Sequence, residues 1–168
     1  LIGMDAEWGL AMRLDSTFAL PWNMTLGAIQ DNKLIADAGA AISRNTKRLG
    51  VHINFAPVVD INTNPKNQVI GFRSFGQDQH KVAEKAKLYM QGLHNEQILA
   101  CAKHFPGHGD TMLDSHVALP ILDKTREQLE ETELIPFKEL ISDGLGAIMT
   151  AHLNVPKIEK DENRASTL

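Results

Sequence analysis

A single cysteine, Cys101, stands in the 168 residues, so no internal disulfide can hold the fold and its stability does not depend on an oxidising compartment. Long apolar runs are also missing. No stretch approaches the ~20 residues that a membrane-spanning helix needs, and no charged segment followed by an apolar one opens the sequence as a secretion signal would. Nor is there a basic excess: 17 lysines and arginines face 21 acidic residues, giving a formal net charge of −4. That balance leaves no electrostatic footprint for nucleic acid or anionic lipid. The phosphate-cradling patterns GxGxxG and GxxxxGKS/T are absent, as are the serine-hydrolase elbow GxSxG and the zinc-protease pattern HExxH. What remains is 43% hydrophobic and 23% charged, enough to bury a real core and suited to a small neutral or polar substrate.

Four apolar runs read as buried strands: 1–6, 51–61, 98–105 and 146–153. Their starts are 50, 47 and 48 residues apart, and each gap carries a helical pattern. In the first gap Leu34, Ile35, Ala38, Ala41, Ile42 and Leu49 keep helical spacing, and Gly50 stands where a helix ends. In the second, Asp78 is placed to cap a helix carrying Val82, Ala86, Tyr89, Met90 and Leu93 on one face. The third holds a capping box, Thr125 with Gln128, and then Pro136 in the first turn of another helix with Phe137, Leu140 and Ile141.

Strands alternating with helices predict a parallel sheet covered on both faces. An open doubly wound sheet would place a glycine-rich turn after an early strand, whereas the first turn here reads DAEWGLAMRL. A (β/α)8 (TIM) barrel accounts for the pattern better, because its chemistry sits at the C-terminal strand ends. Those ends carry Asp5 and Glu7, Asp60, Lys103 and His104, and His152. A whole barrel takes ~250 residues, so the expectation is an α/β chain forming a partial barrel of about four consecutive βα units. With Leu1 inside the run LIGM and RASTL at the other end, residues 1–168 read as part of one such domain. Exposed sheet edges and apolar faces are expected to favour self-association.

The densest chemistry is KHFPGHGDTMLDSH, residues 103–116, in which three histidines, two aspartates and a lysine crowd a strand end and its loop. This segment resembles the signature of glycoside hydrolase family 3, in particular its bacterial β-N-acetylhexosaminidase branch. The resemblance extends to GMDAEWG, APVVDI, FRSFG and MTAHL, and so to nearly the whole chain. It implies a retaining hydrolase of terminal β-linked N-acetylglucosamine, with cell-wall fragments as substrate. His116 would be the general acid/base and Asp114 the carboxylate orienting its imidazole. Lys103, His104, Asp5 and Arg73 would grip sugar hydroxyls, and the nucleophilic aspartate would follow a later strand, after Leu168. The chemistry suits the residues independently. A histidine titrating near ~6.5 can both give and retake a proton near neutrality, and an adjacent carboxylate raises that value and fixes the tautomer.

Blander readings stand beside these. Asp60 can simply support its loop, His108 between two glycines is read first as shaping the turn, and His152 is read equally as a second-layer core residue. Cys101 suits small apolar packing, and Trp8 and Trp22 suit walls. A zinc site from His104, His108, Asp110, Asp114 and His116 is the main rival chemistry, although the proline and glycines deny these residues a helix face. A phosphorylase on the same scaffold and an inactive carbohydrate-binding homologue also fit the same residues. No cofactor and no metal are expected, since side chains suffice for proton transfer and covalent catalysis. The family serves both cytoplasm and envelope, with the envelope preferred.

Overall fold

The computed structural model describes residues 1–111, 119–160 and 164–166. In chain order the elements are β1 (Gly3–Met4), α1 (Asn23–Ala28), α2 (Lys33–Arg48), β2 (Ile53–Asn54), α3 (Gln79–Asn95), β3 (Leu99–Phe105), α4 (Arg126–Glu131), α5 (Leu134–Ser142) and β4 (Ala147–Thr150). Short 3-10 turns lie at Leu10–Met12 and Gly71–Arg73. All strand pairings are parallel and the order is β1-β2-β3-β4. A doubly wound sheet would reverse its order at a switch point. Here the order never reverses, so the chain is the partial (β/α)8 barrel that the sequence predicts.

Helices α2 and α3 cover one side of the sheet because their apolar faces match it. Ile35 and Ile42 of α2 and Val82, Ala86, Tyr89, Met90 and Leu93 of α3 join Ala6, Ala56, Val59, Ala100 and Ala102 in one buried cluster. Phe137 and Leu140 of α5 complete it. Burying each large side chain contributes about 1.5–3 kcal/mol before entropy is charged. The helix boundaries follow the sequence signals. Asp78 accepts a hydrogen bond from Lys81 N at 2.8 Å, and Thr125 and Gln128 form the reciprocal capping box. Pro136 lies in the first turn of α5, and α2 stops two residues before Gly50.

Two expectations need correction. The first two strands form regular ladders only at Gly3–Met4 and Ile53–Asn54, far shorter than 1–6 and 51–61. Beyond them the buried Asn54 side chain takes over the pairing, accepting from Ala6 N at 3.0 Å and donating to Ala6 O at 3.2 Å. Pro57, which has no N–H to donate, lies just beyond, and irregular pairing with β3 continues as Ala56 O and Pro57 O accept from Cys101 N and Lys103 N, with a parallel bridge at Val58. Helix α1 has no counterpart in the sequence reading, since its six residues are too few to show periodicity.

Candidate active site

The C-terminal strand ends open into a cavity of about 640 Å³ whose lining includes Asp5, Trp8, Arg73, Lys103, His104 and His152. Its floor is a charge network. Lys103 Nζ lies 2.7 Å from Asp5 Oδ1 and 2.8 Å from Glu7 Oε1. Arg73 grips the same Glu7 in fork geometry, Nη2 to Oε1 at 2.7 Å and Nε to Oε2 at 3.0 Å, and also donates to Val69 O at 3.0 Å. Arg13, on the rim, reaches Asp5 Oδ2 at 2.5 Å. Burial pushes the Asp5 and Glu7 carboxyls up, but Lys103 with Arg13 and Arg73 with Lys103 outweigh it and hold both below the ordinary carboxylate range. Both acids are therefore anionic at neutral pH.

A second carboxylate, Asp60, builds the neighbouring wall from beneath. It is fully buried and accepts from His108 N at 2.7 Å and from His104 N at 3.2 Å, while His104 Nδ1 lies 2.7 Å from Oδ2. Burial pushes its pKa up, and the His104 imidazole with these N–H donors pulls it back below the ordinary range. A proton on Nδ1 satisfies that contact and leaves Nε2 as an acceptor, 3.5 Å from Arg73 Nη2. β3 and β4 pair Lys103 with Met149 and Phe105 with Thr150, so His104 sits at an irregularity that turns it into the cavity. Thus one acid holds the side chain and backbone of the same histidine.

The structure brings Asp5, Arg73, Lys103 and His104 to one cavity. Asp114 and His116 lie outside the described residues. His108 is buried, with Nδ1 2.5 Å from Thr111 Oγ1 and its carbonyl accepting from Asn67 at 2.7 Å. His152 is not a core residue. It is exposed and lines the cavity, two residues after β4 ends at Thr150. Trp8 and Trp22 pack against each other with ring centroids 4.2 Å apart and planes tilted by 42°, and form part of the wall. Cys101 is buried, and burial raises its thiol pKa. Among the described residues no group of three or more His, Cys, Asp or Glu side chains is arranged to hold a metal ion.

The sequence places Glu7, the acid at the centre of the network, at a strand end beside Asp5 but gives it no role of its own. The signal was available: Asp5 and Glu7 are two apart at a strand end, which puts both side chains on one face. Tyr89 further fixes this turn, donating its hydroxyl to Glu7 O at 3.0 Å from the face of α3.

The family model described as "Glycosyl hydrolase family 3 N terminal domain" matches residues 1–167. Beta-hexosaminidase A of Pseudoalteromonas piscicida is 36% identical over 167 residues, which cover 96% of this chain and 28% of that protein. A glycoside hydrolase family 3 β-N-acetylglucosaminidase from Paenibacillus sp. str. FPU-7 superposes with a TM-score of 0.91 at 44% identity, covering 96% of this chain and 31% of that one. Native NagZ from Neisseria gonorrhoeae superposes at 0.87 with 31% identity, over 95% of this chain and 48% of its own. The chain thus spans less than half the length of each of these relatives.

Proposed function

Since the chain belongs to glycosyl hydrolase family 3, matching its N-terminal domain, we propose that the full-length protein is a retaining β-N-acetylhexosaminidase acting on terminal β-linked N-acetylglucosamine. The observation that carries this reading is the convergence of Asp5, Arg73, Lys103 and His104 on one cavity, each held by a buried acid or by its own ion pair. Residues 1–168 are then one stretch of a single barrel domain.

A sugar ring presents hydroxyls that both donate and accept. Of the three Lys103 N–H bonds, two go to Asp5 and Glu7, and the third is available to a hydroxyl oxygen. Each Asp5 oxygen has one cation and a further lone pair, so Asp5 can accept from a hydroxyl. His104 Nε2 offers another acceptor. Such preset donors and acceptors bind without reorganising, which favours a transition state in which the ring's geometry and charge change. Glu7 and Asp60 are positioning groups in this account.

Proton transfer is assigned to His116, with Asp114 orienting its ring, on the resemblance of DSH in this sequence to the family's motif. The covalent step needs a carboxylate on the opposite sugar face. By the same resemblance that aspartate follows a later strand. No acid described above takes that role, since Asp5, Glu7 and Asp60 are each committed to cations or to N–H donors.

The test is a panel of p-nitrophenyl β-glycosides offered to the full-length gene product. Rapid release from the N-acetylglucosaminide, with little from the glucoside, is the expected result. Absence of release from every N-acetylhexosaminide would overturn the proposal.

A further inference from the structure

A second ion pair, its acid buried and its lysine partly exposed, lies outside the cavity, beside Gly107. Glu133, buried just before α5, is paired with Lys124 through Oε1, and its other oxygen accepts from Thr132 Oγ1. Lys124 also reaches Asp110 Oδ2 at 3.3 Å. Burial lowers the Lys124 pKa, but the hydrogen bond and charge of Glu133 outweigh it and keep the ammonium charged. Gly107 rests on the same acid: at φ +133° it has a backbone that L side chains rarely adopt, and a Cβ there would come within 2.5 Å of Glu133 Cγ.

Position in the chain gives this cluster its meaning. Asp110 and Lys124 stand on either side of 112–118, the stretch that contains Asp114 and His116, so one cation joins the chain before that stretch to the chain after it. Each end is also anchored to the barrel. On the first side, Asn64 Nδ2 donates to Asp110 O at 3.4 Å and Thr111 O at 3.3 Å. On the other, Leu122 N donates to Asn154 O and Asn154 N to Pro120 O, both at 2.9 Å. An ion pair between a buried acid and a partly exposed lysine adds little net stability, so geometry is the better account of its presence.

We infer that Lys124 is a positioning residue that, by tying Asp110 to Glu133, holds together the chain on either side of 112–118 and so supports proton transfer by the residues that stretch contains. This rests on the assignment of proton transfer to His116. A general acid contributes ~10²–10⁴-fold, and displacement by about an ångström forfeits much of that. Substrates with good leaving groups need little protonation and are spared.

The test compares kcat/KM of the full-length protein on p-nitrophenyl N-acetylglucosaminide, a good leaving group, and on N,N′-diacetylchitobiose, a poor one. The double variant Lys124→Met, Glu133→Leu replaces the pair by apolar groups, which is generally close to neutral for folding. Its activity on the disaccharide should fall about tenfold or more while that on the p-nitrophenyl substrate stays within about threefold. Lys124→Arg should recover part of the loss. Asp110→Asn, at a partly exposed site where folding is not at stake, should shift the ratio of the two activities in the same direction. An unchanged ratio in Asp110→Asn, or equal losses on both substrates in a folded double variant, would overturn the inference. Wild-type protein inert on both substrates would instead remove the reading on which it rests.

Discussion

The ammonium of Lys103 lies 2.8 Å from Glu7 Oε1, and both side chains are all but inaccessible to solvent. The cost of withdrawing this pair from water is offset by Arg73 and Asp5, which complete the network. Replacing Glu7 by Gln leaves Lys103 and Arg73 facing each other without the anion between them. The expected cost is about 3 kcal/mol in unfolding free energy, with a raised KM from the displaced lysine. Chemical denaturation alongside steady-state kinetics measures both, and a cost below about 1 kcal/mol would show that Glu7 does not hold the site.

Asp60 acts through His104. In Asp60→Asn one oxygen becomes an amide N–H₂, which meets a ring or backbone N–H that previously met a carboxylate. Hydrogen bonds to charged groups are worth about 1.5–3 kcal/mol, so kcat/KM should fall roughly tenfold or more. Steady-state kinetics on the p-nitrophenyl substrate checks this, and unaltered kinetics would mean that the His104 ring is oriented by something else.

Acid should loosen the site in a defined window. Asp5, Glu7 and Asp60 all have folded pKa values below their ordinary ones. The stability they contribute is therefore fully present above the unfolded carboxylate values of ~4 and is lost as pH falls through the lower folded values. Melting temperature should be flat in this respect from neutrality to about pH 5 and decline below about pH 4. Thermal melts across that range check it, and Glu7→Gln should flatten part of the decline.

A stability change remote from the cavity serves as a control. Asp78→Ala removes the side-chain cap of α3, at a cost of about 1 kcal/mol, and should leave kcat and KM unchanged. An effect on KM would mean that α3 transmits strain to the turn its Tyr89 holds, and kinetics beside denaturation decides.

Much of this arrangement is legible in the sequence because local signals and global architecture agree. The caps at Asp78 and Thr125, the apolar faces of α2 and α3, and the regular strand spacing all point to consecutive βα units. Site residues could be read where motif density was high, in residues 103–111. Residues distant in sequence and joined only by the fold were harder: nothing near Lys124 announces that it meets both Asp110 and Glu133. Strand length failed for a related reason. The Asn54 side chain does what ladder hydrogen bonds were expected to do, and a polar residue in an apolar run does not reveal such a role.

The most direct test of the central claim is turnover of p-nitrophenyl β-N-acetylglucosaminide and of N,N′-diacetylchitobiose by the full-length protein, wild type against His116→Ala, with and without a strong chelator. The account predicts chelator-resistant wild-type activity, and a His116→Ala loss far greater on the disaccharide, whose leaving group needs the proton. Activity abolished by chelator and restored by zinc would contradict it and make the same histidines metal ligands.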